Sequence, residues 1–249
     1  MTGDSSFPPP LKLEGIAHRF GRRWILRGLD LQLDPGQVVA MIGANGAGKT
    51  TLLRIAATLL RPLRGRGWVG GASLLENSDR VRTMIGILGH SPALYEDLTP
   101  VENLRFCLQM QGDPGDRGRI LAILDEVGLT DFAHVRVRRF STGMRRRVAV
   151  GRVLASLPHL LLMDEPYASL DPEGVELVNG TIQRVVDEGG GVLLATHDLR
   201  SGAGLTDRVV TLDRGLLREG DGRQPAHGRT DSSPTRADSS SPTTRGQLA

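Results

Sequence analysis

The stretch Val38-Val39-Ala40-Met41-Ile42-Gly43-Ala44-Asn45-Gly46-Ala47-Gly48-Lys49-Thr50-Thr51 decides the fold. Its first five residues form a continuous apolar run, the pattern of a strand buried on both faces. Gly43 to Thr50 then matches G-x-x-x-x-G-K-[ST] at every fixed position, and Leu52, Leu53, Ile55 and Ala56 continue as an apolar helix. The glycines allow a tight loop whose N–H groups, from Gly43, Ala44, Asn45, Gly46, Ala47, Gly48, Lys49, Thr50 and Thr51, converge on phosphate oxygens. The helix N-terminus adds positive potential at the same place. Lys49 supplies a point charge for the β- and γ-phosphates, and the Thr50 hydroxyl is a ligand for Mg²⁺.

Upstream, Leu29-Asp30-Leu31-Gln32-Leu33 alternates as a half-buried strand does, and Asp34-Pro35-Gly36 is a turn. Downstream, Thr99 reads as an N-cap, with Pro100 at the first helical position and Glu102 closing a capping box. Val101, Leu104 and Leu108 share one face of that helix. A second helical pattern, Ile120, Leu124 and Val127, stops at Gly128. Leu160–Met163 and Val192–Ala195 read as further buried parallel strands. The expected architecture is α/β: a P-loop core over residues 11–220, with a helical insert over about 91–155. Residues 1–10 read as a flexible arm. Residues 221–249, rich in Ser, Thr, Pro, Arg, Asp and Gly, hold too little apolar surface to offset ordering entropy and read as a disordered tail.

A P-loop alone leaves kinases, GTPases and many ATPases open. Asp164 and Glu165, directly after the apolar run at 160–163, narrow the choice. A strand-terminal Asp can hold Mg²⁺ directly or through water, and the adjacent carboxylate can polarise an attacking water as general base.

The order Lys49, then Asp164-Glu165-Pro166, Ser169-Leu170-Asp171 and Thr196-His197-Asp198 resembles the ATPases of ABC transporters. The resemblance covers about residues 11–220. It implies a P-loop core of ABC-ATPase type, with an antiparallel β subdomain beside the inserted helical one. It implies that Ser169-Leu170-Asp171 is the D-loop joining two subunits, and that His197 is a switch histidine on the γ-phosphate. Phe140-Ser141-Thr142-Gly143-Met144-Arg145 stands where that family carries its signature loop, departing from L-S-G-G-Q at Phe140, Thr142 and Met144. Ser141 can still N-cap the following helix and expose free N–H groups to a phosphate. In the family that phosphate belongs to ATP held by the opposite subunit, which implies a head-to-tail dimer. Arg145-Arg146-Arg147 reads as exposed helix surface. Phe20 falls where the family stacks an aromatic on adenine. His90 stands where it usually has a Gln near Mg²⁺ and the attacking water. Leu88–Pro92, Asp97–Leu104 and Asp164–Tyr167 resemble the CcmA-type ATPases, the heme exporters of cytochrome c maturation. An integral-membrane permease subunit of CcmB type is the implied partner. Drug or polysaccharide exporters of ABC-2 type, whose signatures also often read Ser-x-Gly-Met, and non-transport ABC ATPases are the alternatives; the single cassette without a heptad run speaks against the latter.

Composition bounds the rest. The 249 residues carry a formal charge of +3 with 24% charged residues, which reads as a solvated basic surface without a nucleic-acid partner. Of 31 Lys and Arg residues only Lys12 and Lys49 are lysines, which singles out Lys49. The lone Cys107 cannot form an internal disulfide and reads as a small buried residue in a reducing compartment. No apolar run approaches the ~18 residues of a membrane span, and Met1–Pro10 lacks the marks of a secretory signal. The expected place is the cytoplasmic face of the cell membrane, reached through a membrane partner. Pro92, Leu94 and Tyr95 are expected to offer exposed apolar area to it.

Overall fold

A computed structural model describes residues 8–89, 93–168, 170–198 and 202–219. The expectations for most of the N-terminal arm, for His90, Pro92 and Ser169, and for the tail lie outside these residues. The chain opens with a hairpin of β1 (Leu11–Phe20) and β2 (Arg23–Leu33), then β3 (Val38–Ile42) and α1 (Lys49–Ala56). There follow β4 (Arg64–Val69), β5 (Ala72–Ser73), α2 (Ser78–Met84) and β6 (Ile85–Leu88). Three helices come next, α3 (Pro100–Met110), α4 (Arg117–Glu126) and α5 (Thr142–Ser156). The chain then returns through β7 (Leu160–Asp164), α6 (Pro172–Asp187), β8 (Gly191–Thr196), β9 (Arg208–Asp213) and β10 (Leu216–Glu219).

Two sheets result. One is antiparallel, ordered β2-β1-β4-β5; the other has the order β10-β9-β3-β8-β7-β6, parallel except for β10 at its edge. The central strands β3, β7 and β8 are buried on both faces, which is why they read as unbroken apolar runs. Val39, Met41, Leu160, Leu162, Leu193 and Ala195 face α1 and the antiparallel sheet. Their neighbours Val38, Ala40, Leu161, Met163, Val192 and Leu194 face the helices α3 to α6. This two-residue alternation splits the core into two layers around one sheet.

Register places the chemistry. β8 pairs with β3 on one side, Ile42 opposite Thr196, and with β7 on the other, Asp164 opposite Ala195. The carboxyl ends of three neighbouring parallel strands therefore reach one edge together, where α/β sheets bind ligands.

The helical insert is held by polar bonds as well as packing. Thr99 caps α3, its hydroxyl accepting from Glu102 N while Glu102 Oε2 accepts from Thr99 N at 2.8 Å. Buried Asn103 donates to the carbonyls of Tyr95 and Thr99 at 3.0 and 3.1 Å and accepts from Tyr95 N at 3.0 Å. Three expectations need correction. Arg145–Arg147 is not an exposed surface: Arg146 is buried, Arg145 pairs with Glu96 at 3.0 Å and Arg147 with Glu173 at 3.1 Å. The pattern misled because α5 packs on α3, α4, α6 and β6, so more than one of its faces is covered. Cys107 is half-buried, on the flank of α3 rather than its inner face. Leu94 is partly buried against the helical core, whereas Tyr95 is exposed as expected. Among the described residues no helix is long and apolar enough to cross a membrane.

Candidate nucleotide site

Between β3 and α1 the loop 43–48 turns back tightly, Ala47 N donating to Ala44 O at 3.1 Å. Gly48 sits at φ 115°, a conformation that L side chains rarely adopt, and a Cβ there would press on Ile25 and Leu26 of β2 at 3.0 Å. At Gly43 a Cβ would lie 2.4 Å from the carbonyl oxygen of Leu212 in β9. Both positions need glycine, one for its φ and both for the close approach of the neighbouring strands. Lys49 is buried, its Nζ donating to Gly43 O at 2.7 Å and lying 3.4 Å from Ala44 O. The ammonium is thus held inside the loop's own curve, where a phosphate chain would meet it.

Across β8, Thr50 Oγ1 donates to Asp164 Oδ2 at 2.7 Å. A hydroxyl and a carboxylate side by side form the sparse oxygen set by which protein side chains hold Mg²⁺ when substrate phosphates complete its shell. The donor set present here fits that ion.

One residue further on, Glu165 takes φ 49°, outside the range a glutamate favours. Its N–H donates to Ala195 O at 2.8 Å, and its carbonyl accepts from Ala168 N at 3.2 Å. These bonds hold a conformation that costs ~1–3 kcal/mol. The turn brings the carboxylate over the end of β8. There His197 Nδ1 lies 2.8 Å from Glu165 Oε2, and Thr196 Oγ1 lies 3.2 Å from the same oxygen. Thr196 Oγ1 is also 2.9 Å from Asp198 O and accepts from Asp198 N at 3.1 Å. Its single proton serves either the glutamate or the carbonyl.

The ABC transporter family matches residues 26–168. The chain belongs to the ABC transporter ATPases. It is an ATP-binding subunit, and it hydrolyses ATP. It is 38% identical over 213 residues to the daunorubicin resistance ATP-binding protein DrrA3 of Streptomyces coeruleorubidus, covering 84% of this chain and 67% of that protein. It is also 38% identical over 208 residues to the cytochrome c biogenesis ATP-binding export protein CcmA of Xanthomonas axonopodis pv. citri, covering 83% and 95%. The solved ATP-binding subunit of an ABC transporter superposes with TM-score 0.77 at 27% identity, over 83% of this chain and 87% of that one. CbiO1 of Clostridium perfringens, part of the ABC transporter complex cbiONQ, gives 0.71 at 27% identity over 84% and 87%.

In this ABC ATPase, Lys49, Thr50, Asp164, Glu165 and His197 meet at one sheet edge. Phe20 is 53% exposed at the end of β1, packed edge-on against His18 with ring centroids 4.9 Å apart. The hairpin it closes borders the P-loop through Ile25 and Leu26. The segment Ser141, Thr142, Gly143, Met144 lies elsewhere: α5 packs on the helical face of the sheet and α1 on the other. Ser141 Oγ accepts from Met144 N at 3.2 Å, while Ser141, Thr142 and Gly143 stay exposed. Of the 169–171 segment, Leu170 is half-buried. Asp171 caps α6, its Oδ1 accepting from Gly174 N at 2.7 Å, with Pro172 at the first position.

Sequence reasoning gave no role to Thr196 or Arg146. Thr196 was legible only as part of the Thr-His-Asp run, since its contact with Glu165 depends on strand register. Arg146 carried no signal apart from its arginine neighbours. Tyr167, the last residue of the Asp164–Tyr167 run, is partly buried, which pushes the phenol up to about 12, and it donates to Asn179 Oδ1 at 2.7 Å.

Proposed function

We propose that this ATPase is the motor of an exporter that delivers heme for c-type cytochrome assembly, working as a head-to-tail dimer beneath an integral-membrane permease. The observation that carries the catalytic part is the clamp of Glu165 by His197 and Thr196, one strand away from Thr50 and Asp164. ATP lies with its triphosphate on the N–H groups of residues 43–51 and its adenine on Phe20. Lys49 leaves the Gly43 carbonyl for the β- and γ-phosphates. Thr50 and Asp164 would hold Mg²⁺, which would supply countercharge to those phosphates. Glu165 accepts the proton of the attacking water, and His197 keeps its carboxylate turned toward that water. With Nδ1 turned to Glu165, His197 presents Nε2 to the γ-phosphate. Ser141, Thr142 and Gly143 offer unbonded helix N–H groups to the ATP of the opposite subunit, and Leu170 and Asp171 lie between the two.

Heme export is supported by 38% identity over 95% of the Xanthomonas CcmA. Deleting the gene should abolish covalent heme attachment to c-type cytochromes and spare b-type cytochromes, read by in-gel heme staining. Normal holocytochrome c in a strain with no second copy supports the other reading. That reading, the motor of a drug exporter, is favoured by the equal 38% identity to DrrA3.

A further inference from the structure

Arg146 lies just over one turn into α5 from its Ser141 cap and is 8% exposed. Its Nη2 donates to the carbonyl oxygen of Pro166, the residue after Glu165. Its Nε is buried and has no hydrogen-bond partner among the described residues. Burial pushes the guanidinium's pKa down, so the fold keeps this charge against a desolvation cost. Packing alone would be served better by a methionine, which fills similar volume without burying a charge. What the guanidinium adds is a donor for the Pro166 carbonyl. That carbonyl lies inside the turn that Ala168 N closes onto Glu165 O at 3.2 Å, the turn that holds Glu165 at φ 49° with its carboxylate beside His197.

Beside this link lies a cleft of about 170 Å³, open to solvent and lined by Gly143, Arg146, Leu170, Asp171 and Gly174. Here it gives the start of α5 space to shift against the 170–174 segment while Arg146 stays bonded to Pro166.

We propose that Arg146 is a positioning residue that ties the Ser141 end of α5 to the Glu165 turn, so that ATP on one composite site of the dimer sets the catalytic carboxylate of the other. The proposal rests on the head-to-tail reading above. Ser141 touches the ATP of the opposite subunit, whereas Glu165 serves the ATP on its own P-loop. A rigid connection between them within one chain couples the two sites, and such coupling is reciprocal.

The test uses the purified full-length chain, with ATPase rate measured against ATP concentration for wild type, Arg146→Met and Arg146→Lys. Wild type should show a Hill coefficient above 1. Arg146→Met should lose roughly 10- to 100-fold in kcat, the scale of a misplaced catalytic group, with KM changed less than about twofold and the Hill coefficient falling to 1. Arg146→Lys, which still donates to the Pro166 carbonyl, should recover most of both. Melting temperatures separate folding from positioning. A wild-type Hill coefficient of 1, unchanged kinetics in Arg146→Met, or a Tm loss in both variants with cooperativity intact would each overturn the proposal. Gel filtration of Glu165→Gln with ATP keeps the two readings apart. Without an ATP-bound dimer the head-to-tail reading itself fails; with one, unchanged cooperativity in Arg146→Met sinks the role of Arg146 alone.

Discussion

His197 Nδ1 and Glu165 Oε2 stand 2.8 Å apart although their residues follow different strands, β8 and β7. The contact exists because Asp164 pairs with Ala195, so the residues just beyond them arrive at one level. Glu165→Gln keeps the shape and removes the basicity. Turnover by phosphate release should fall by roughly 100-fold or more, while ATP binding persists and an ATP-bound dimer accumulates. Wild-type turnover in this variant would take Glu165 out of its assigned role.

Lys49→Ala acts on the ground state instead. The buried ammonium is the cation bonded to the P-loop carbonyls Gly43 and Ala44. Its loss should weaken ATP binding at least tenfold and abolish hydrolysis, as equilibrium binding of a fluorescent ATP analogue and phosphate release would show.

These two sites were legible for different reasons. The P-loop is local: a strand, a glycine-rich turn and a helix in consecutive residues, so sequence order and spatial order coincide. Asp164 and Glu165 were legible as acids that follow a buried strand in a chain with a P-loop, His197 only through a resemblance, because their proximity depends on which strands pair and in what register. Thr196 and Arg146 stayed hidden for that same reason. The strands β3, β7 and β8 could be read because burial on both faces makes them uniformly apolar. The short β5, and β4 with its Arg-Gly-Arg-Gly start, could not, since an edge position and two glycines erase the alternation.

Asn103 should matter to stability rather than chemistry. It is 1% exposed and satisfies three backbone groups of the 95–99 turn. Asn103→Leu leaves the Tyr95 N–H without its partner, at ~1–3 kcal/mol for a buried donor, while the carbonyls of Tyr95 and Thr99 keep Leu98 N and Asn103 N. The melting temperature should fall by several degrees, and Asn103→Asp, which retains the acceptor for Tyr95 N, should fall less.

The α3 capping box should add an acid-sensitive increment. Hydrogen bonds from the Thr99 N–H and hydroxyl hold the Glu102 carboxyl below its ordinary value of 4.5. A carboxylate with a depressed folded pKa stabilises the fold above its unfolded pKa, and that stability is lost as pH falls through the folded pKa. The Tm difference between wild type and Glu102→Gln should therefore be present at neutral pH and shrink steadily below about pH 4.5. A difference that stays constant to pH 3 would show that ionisation of Glu102 contributes nothing.

Tyr95 is the residue we expect to meet the membrane partner. It is 50% exposed and stacks edge-on with Phe106, 38% exposed, at 4.8 Å between ring centroids. Two adjacent exposed rings give a compact apolar area on the helical insert. Asn103 holds the Tyr95 backbone from both sides, so the ring is displayed by a rigid turn. An apolar helix end of a permease would bury both rings, a gain that a carboxylate at position 95 reverses by desolvation. Tyr95→Asp should reduce co-purification with the permease about tenfold or more and abolish the partner-stimulated increment of ATPase activity. Phe106→Ala, which removes only half of the patch, should weaken both by a smaller factor. Full assembly and stimulation in the Tyr95→Asp variant would move the contact to another face of the insert.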